Sequence, residues 1–246
     1  MKRILLSIEY DGTAYSGWQK QPNQKTVQGE IENAILRSIG EEVEIFGSGR
    51  TDAGVHAINQ SAHFDLKAPV PISKLADVLN NALPADIAIK RACEVDADFH
   101  ARFSIKRKIY QYRIYNSVQK DVFLANRAAW VRKPLDVNKM NEAAGLLIGS
   151  HDFKGFCSAN TCVNDFVRTI YDLQVEREGD FVYITVSGSG FLYNMVRIIS
   201  GTLVDYALNK LSLDDIEIAL KSGLRSHSGQ TMSACGLYLK DTIYDL

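Results

Sequence analysis

The chain has 246 residues and a formal net charge of −1, with 46% hydrophobic and 23% charged residues, which is typical of a soluble globular protein with a substantial core. No apolar run is long enough to cross a bilayer, and the basic, apolar start lacks a signal-peptide cleavage site, so we expect no membrane partner. Four cysteines and five histidines show neither zinc spacing nor a disulfide framework, which favours reduced thiols in a cytoplasmic protein without a metal.

The first half of the chain predicts strands and helices in the order β-α-β-β-α-β, the order of ferredoxin-like domains. Its first helix can begin after Thr26 as the N-terminal cap and end at Gly40. The apolar residues of the opening strand alternate, so that Ile4, Leu6 and Ile8 share one face. The predicted strands are 1–10, 43–46, 58–66 and 87–95, and the predicted helices are 27–39 and 72–83.

The second half predicts a variation on the same order, including a helix capped by Asp136 and a hairpin of strands 167–177 and 181–187. We also predict strands at 108–116, 127–132 and 237–240, and helices at 137–148, 192–208 and 213–222. Since no Pro/Gly/Ser-rich linker separates the halves, we expect an α+β protein of two α/β subdomains, 1–105 and 106–246. We expect the subdomains to share a central mixed, mainly antiparallel sheet, with an active cleft between them.

Residues 99–133 carry nine basic side chains against one acid, Asp121, and aromatic residues are interleaved among them. Basic residues neutralise phosphates and aromatic rings stack on unpaired bases, so this mixture favours a folded RNA or a single strand as partner. The alternative is a solvated strand face that happens to be basic. On a nearly neutral protein, such a patch predicts a confined binding site.

The most informative segment is the Asp52 loop (residues 47–57), in which three glycines surround one carboxylate. Glycines let the backbone turn tightly and approach a ligand closely. Arg50 lies two residues before Asp52 and so points the same way in an extended segment, where its charge can hold the carboxylate ionised and aimed. These residues match neither the fingerprint of a dinucleotide-binding site nor a phosphate-binding P-loop. The alternative is a structural turn with an Asx-type bond.

Two further segments are candidates for the same site. Alternation places Lys108, Tyr110 and Tyr112 on one strand face, where a tyrosine ring can stack under a base or simply pack in the sheet. Arg197 lies in an otherwise apolar helix after a glycine-rich turn, and an arginine there needs an anionic partner. That partner could be Asp52, a phosphate or a structural carboxylate.

The Asp52 loop resembles the signature that surrounds the catalytic aspartate in the TruA family of tRNA pseudouridine synthases. Further matching segments extend the resemblance over nearly the whole chain: 9–12, 17–19, 99–104, 110–116, 151–153, 191–197 and 236–239. One departure is Lys108-Ile109, where relatives often have two arginines, and it puts only a phosphate contact in doubt.

The resemblance implies a pseudouridine synthase fold with RRM-like subdomains, and isomerisation of uridine to pseudouridine at positions 38, 39 and 40 of the tRNA anticodon stem-loop. It implies a homodimer and neither cofactor nor metal. Carried over to this sequence, Asp52 is the catalytic carboxylate, Tyr110 binds the target uracil, and Arg50 and Arg197 are supporting charge partners. A non-catalytic RNA-binding protein and a metal-dependent hydrolase are the alternative functions.

Overall fold

The computed structural model describes residues 1–159 and 163–245, and the chain divides into two compact units. Unit 1 contains Met1–Lys106 together with the chain from Leu239 onward, and unit 2 contains Arg107–Tyr238. The last strand therefore belongs to unit 1, whereas the sequence places it in the second subdomain. The reason is long-range pairing: Asn59 donates a hydrogen bond to Asp241 at 2.7 Å, 182 residues further along the chain.

Unit 1 has the predicted element order β-α-β-β-α-β, followed by the returning C-terminal strand. Its sheet has the strand order β4-β1-β3-β10, and β2 pairs with β3. The pairs β1–β3 and β1–β4 are antiparallel. The elements are β1 (Lys2–Tyr10), α1 (Val27–Ile39), β2 (Phe46–Gly47), β3 (His56–Leu66), α2 (Ile72–Asn80), β4 (Ile87–Val95) and β10 (Leu237–Tyr244).

The core of unit 1 is built from the alternating face of β1 and the apolar stripe of α1. Ile4, Leu6 and Ile8 are fully buried, as are Ile31 and Ile35. Each such side chain contributes roughly 1.5–3 kcal/mol through burial. Both predicted ends of α1 are confirmed, because the Thr26 side chain accepts a hydrogen bond from the Gly29 amide and Gly40 has a left-handed backbone with φ of 77°.

The strand predicted at 43–46 is wrong in extent, since only Phe46–Gly47 pairs with β3. Two buried polar side chains of α1 take the backbone hydrogen bonds that a longer strand would need. The Ile45 amide donates to Glu32 Oε1 at 3.1 Å, and the Ile45 carbonyl accepts from Gln28 Nε2 at 3.2 Å. An apolar run in the sequence carries no sign of this competition.

Unit 2 contains a mainly antiparallel sheet with the order β5-β9-β8-β7, and β6 pairs with β5 in parallel. The predicted hairpin is confirmed as β8 and β9, and its turn contains Gly179 with φ of 57°. The elements are β5 (Ile105–Tyr115), β6 (Ala129–Trp130), α3 (Val137–Leu147), β7 (Gly149–Asp152), β8 (Val167–Glu178), β9 (Phe181–Gly188), α4 (Met195–Ala207) and α5 (Leu213–Ser222).

Two predicted elements of unit 2 are shorter than expected. The strand predicted at 127–132 contains only β6, because Asn116 Nδ2 donates to the carbonyl groups of Val131 and Lys133 at 2.8 Å each. The helix predicted from 192 begins at Met195, because Asn194 has a left-handed backbone with φ of 60°. Within the part of the chain that the structure describes, no helix has the length and apolar character to cross a membrane.

His63 on β3 is a buried histidine with a structural role. Only 3% of it is exposed, and its Nδ1 accepts a hydrogen bond from the Ala101 amide at 3.1 Å. The ring of Phe46 stacks on it, and the ring of His100 lies 4.6 Å away, centroid to centroid. Burial, together with the charges of His100 and Arg3, lowers the pKa of His63 to about 4.

This pKa predicts an acid-sensitive fold. Because an unfolded histidine has a pKa of about 6.5, the unfolded chain binds more protons than the folded one between the two values. The stabilisation from neutral His63 is therefore complete above about pH 6.5, the pKa of the unfolded chain. It is lost as the pH falls from there toward about 4, the pKa in the folded chain. We expect the free energy of unfolding to fall by about 2 kcal/mol between pH 7.5 and pH 5 from this group.

Urea unfolding of wild type and His63→Asn across this pH range measures the effect. The asparagine retains an acceptor oxygen for the Ala101 amide but does not titrate, so its acid slope should be flatter. His151→Asn in unit 2 is the control. Equal slopes for His63→Asn and wild type would contradict the assignment.

Candidate active site

The Asp52 loop joins β2 to β3, and its first residues are anchored by a buried polar pair. The Ser48 amide donates to the Ser61 carbonyl at 2.7 Å, and the Ser48 hydroxyl donates to Gln60. Gln60 Nε2 in turn donates to the Gly49 carbonyl at 3.0 Å. Since Ser48 and Gln60 are both fully buried, this anchor fixes where the loop leaves the sheet.

A second set of contacts holds the residue immediately before Asp52. The Tyr10 hydroxyl and Thr51 Oγ1 are 2.8 Å apart, and the Trp18 amide donates to the Thr51 carbonyl at 3.1 Å. The Val55 amide donates to the Asp52 carbonyl at 3.1 Å and closes the turn. The backbone at Asp52 is thus fixed on both sides.

Two glycines outside the loop allow this close packing. A Cβ atom on Gly12 would lie 1.9 Å from the Val55 carbonyl oxygen, and one on Gly17 would lie 2.5 Å from the Thr51 carbonyl oxygen. Gly17 also has φ of 96°, a conformation that disfavours any other residue. Segment 10–18 therefore supports the loop from one side, a role that sequence analysis missed although glycines in the matching segments 9–12 and 17–19 pointed to it.

His56, at the end of the loop, belongs to the same support. It is 2% exposed, and its Nδ1 accepts a hydrogen bond from the Gly12 amide at 3.1 Å. The same nitrogen lies 3.2 Å from a carboxylate oxygen of Asp11. These contacts make His56 a hydrogen-bonded structural histidine.

The side chains in the middle of the loop alternate in exposure. Arg50 is exposed, Thr51 is buried and Asp52 is half-buried. This is the pattern of an extended segment in which residues two apart share a side. That Arg50 orients the Asp52 carboxylate stays a prediction.

Tyr110 lies in unit 2 on β5, opposite Val186 of β9. It is half-buried, and its ring meets the edge of Phe191 at a centroid distance of 5.2 Å. Phe191 lies three residues after Gly188, the last residue of β9. Tyr110 is therefore a partly accessible ring held in place by a second ring.

Tyr112, two residues further along β5, has the packing role that was the alternative for both tyrosines. It is fully buried, and its hydroxyl donates to the Ser233 carbonyl at 2.7 Å. Burial raises the pKa of this phenol well above its ordinary value. Tyr112 is thus a core residue of unit 2.

Arg197 lies on α4, and groups of its own unit orient it. Its Nη1 donates to Asn194 Oδ1 at 2.6 Å, and its Nε donates to the Met232 carbonyl at 2.7 Å. Because both acceptors are neutral, these bonds set the direction of the guanidinium without neutralising its charge. The structure thus places Arg50 and Asp52 in unit 1, and Tyr110 and Arg197 in unit 2.

Metal ligands and thiols are the other reactive groups to consider in the described residues. Within residues 1–159 and 163–245, no cluster of three or more His, Cys, Asp or Glu side chains could hold a metal ion. Cys93 and Cys235 are free thiols, and Cys162 lies outside the described residues.

Comparison with known proteins gives consistent matches. A family model described as tRNA pseudouridine synthase matches residues 6–104 and 143–245, one segment in each half of the chain. The tRNA pseudouridine synthase A of Brevibacillus brevis is 51% identical over 244 residues, which cover 99% of this chain and all of that protein. The protein of the same name from Caldicellulosiruptor bescii is 47% identical over 244 residues, with the same coverage of both chains.

Proposed function

Because this chain belongs to the tRNA pseudouridine synthase family, we propose that it isomerises uridine to pseudouridine at positions 38, 39 and 40 of the tRNA anticodon stem-loop. We propose Asp52 as the catalytic carboxylate, acting without a cofactor. The observation that carries this role is the support of the Asp52 loop, whose backbone is held at Thr51 before Asp52 and at Val55 after it.

The reaction needs little beyond one well-placed carboxylate. The N1–C1′ glycosidic bond of uridine breaks, the base turns, and a C5–C1′ bond forms. The proton that leaves C5 is balanced by one gained at N1, so no electrons or groups are exchanged with a partner. An ionised Asp52 can begin this sequence by attacking the sugar or the base, or by removing a proton. A fixed backbone holds it in position before the substrate arrives.

Tyr110 supplies the second part of the proposed site. A target base must leave its stack to be reached, and an aromatic face held by Phe191 can receive it. We propose Arg50 and Arg197 as the cations that keep Asp52 ionised or bind a neighbouring phosphate.

The ring of Tyr110 should matter more than its hydroxyl group if it stacks on the base. We expect Tyr110→Ala to lower kcat/KM by about 10- to 100-fold, since one stacking contact is worth roughly 1–3 kcal/mol. Tyr110→Phe retains the ring and should stay within about tenfold of wild type. Tyr171→Ala, which removes a partly exposed tyrosine from β8, is the control. Full activity in Tyr110→Ala would remove Tyr110 from the site.

We also propose that the protein acts in the cytoplasm as a homodimer. The free thiols of Cys93 and Cys235 support a reducing compartment. Analytical ultracentrifugation of the purified chain tests the dimer, which should have about twice the mass of 27.4 kDa.

One assay tests the activity. Purified protein is incubated with unmodified tRNA transcript in parallel reactions with and without a chelator, and pseudouridine is located by carbodiimide-dependent stops of reverse transcription. We expect stops at positions 38 to 40. RNA binding without stops would instead support the non-catalytic RNA-binding protein, which the basic and aromatic stretch 99–133 favours. RNA cleavage that the chelator abolishes would support the hydrolase.

A further inference from the structure

Unit 2 exposes a basic and aromatic surface that the proposed catalytic residues do not include. We define it as the 117–133 surface. Its exposed basic and aromatic side chains are Lys120, Phe123, Arg127, Trp130, Arg132 and Lys133. Phe123 is 85% exposed, and its neighbour Val122 is 78% exposed. Such exposure of large apolar side chains beside one another marks an interaction site.

Hydrogen bonds hold this surface in one shape although it contains little regular structure. The Asp121 carboxylate accepts from the Phe123 amide at 2.8 Å and caps a short turn. The indole of Trp130 donates to the Ser117 carbonyl at 2.8 Å. Asn116 holds the following backbone through the carbonyl groups of Val131 and Lys133. The exposed rings are thus positioned in advance, which lowers the entropy lost on binding.

The charges identify the partner. Lys120, Arg132 and Lys133 are exposed cations of this surface, and its acid, Asp121, caps a turn. Lys120 Nζ lies 4.9 Å from the centre of the Trp130 ring, so cation and aromatic ring are presented together. Phosphates and unpaired bases require this combination. A second copy of the same surface would instead bring like charges together, which opposes association.

The surface is separate from the residue that meets the target base. Trp130 pairs with Tyr115 at the end of β5. Tyr115 follows Tyr110 by five residues along the same strand. At about 3.3 Å per residue, Tyr115 is roughly 17 Å from Tyr110 along the strand. A ligand that reaches both places must be a large nucleic acid rather than a single nucleotide.

We propose that the 117–133 surface is a second RNA-binding site, which holds tRNA phosphates through Lys120, Arg132 and Lys133 and one unpaired base on Phe123. The ligand rests on the proposed function, because tRNA is the substrate assigned there. The role of this surface is affinity for the whole tRNA, and the isomerisation itself occurs elsewhere.

Binding of fluorescently labelled, unmodified tRNA to the full chain, followed by anisotropy from 50 to 300 mM NaCl, tests the cations. We expect Lys120→Gln/Arg132→Gln/Lys133→Gln to raise Kd at least about tenfold and to reduce the slope of log Kd against log salt by about 2 to 3. The rate at saturating tRNA should stay at the wild-type value. Lys67→Gln/Lys74→Gln/Lys221→Gln removes the same charge elsewhere and should leave Kd within about twofold of wild type.

Phe123 distinguishes stacking from general charge. Phe123→Leu should weaken binding about five- to tenfold without changing the salt slope, and Phe123→Trp should retain binding. Equal effects of the surface triple variant and its control would overturn the proposal. So would a loss of the dimer in the triple variant, because the surface would then serve self-association. Since binding is read without turnover, a wild type that binds tRNA but makes no pseudouridine would contradict only the proposed function.

Discussion

Asp52→Asn is expected to lower pseudouridine formation by at least about a thousandfold, the scale of loss when a catalytic nucleophile or base is removed. The amide has nearly the same shape as the carboxylate but can neither attack nor take a proton at neutral pH. Because the loop backbone is held through Thr51 and Val55 rather than through the Asp52 side chain alone, the fold should persist. Asp52→Ala should lose activity to the same extent.

The readouts are single-turnover formation of pseudouridine and equilibrium binding of unmodified tRNA. Both variants should bind tRNA within about tenfold of wild type, since phosphate contacts provide most of the affinity. Asp77→Asn removes an exposed carboxylate of α2 and should behave as wild type. Appreciable turnover in both Asp52 variants would exclude the assigned role.

Gly17→Ala is expected to damage catalysis without touching any reacting group. A Cβ atom there would lie 2.5 Å from the Thr51 carbonyl oxygen and 3.2 Å from the Asp52 carbonyl carbon. The loop must therefore move away from segment 10–18, and displacement of a catalytic group by about 1 Å can cost about a hundredfold in rate. The positive φ adds backbone strain, so we also expect stability to fall by about 2–4 kcal/mol.

Gly145→Ala is the matched control. Gly145 lies inside α3, and a Cβ atom there would meet nothing within 4 Å, so alanine should be neutral or stabilise the helix by up to about 1 kcal/mol. Thermal unfolding and single-turnover rates are measured on both variants well below their melting temperatures. If folded Gly17→Ala turns over as fast as wild type, the support of Asp52 by segment 10–18 is unimportant for catalysis.

Local patterns in the sequence were sufficient for most helices and strands. The capping oxygen of Thr26, the left-handed Gly40 and the alternating face of β1 depend on neighbours within a few residues, and all three agree with the structure. The hairpin of β8 and β9 was predictable for the same reason. Apolar and polar residues alternate along its strands, and its turn contains Gly179.

Predictions failed where a distant side chain competes for backbone hydrogen bonds. Glu32 and Gln28 of α1 bind the backbone of Ile45 and shorten a predicted strand. Asn116 does the same to the residues after Trp130. Hydrophobic periodicity contains no information about such partners, because they become neighbours only after the chain has folded.

Reading the residues alone was enough to establish the order of the elements, the single carboxylate of the Asp52 loop and the basic, aromatic character of 99–133. Each of these follows from side-chain chemistry and short-range spacing. The folded chain was needed to learn that Gly12 and Gly17 lie against the loop and that Tyr112 is buried while Tyr110 remains half-exposed. It was also needed to learn that the last strand joins unit 1 from Leu239 onward. Those outcomes depend on contacts between segments that are far apart in the sequence. Such segments become neighbours only because the whole unit packs together.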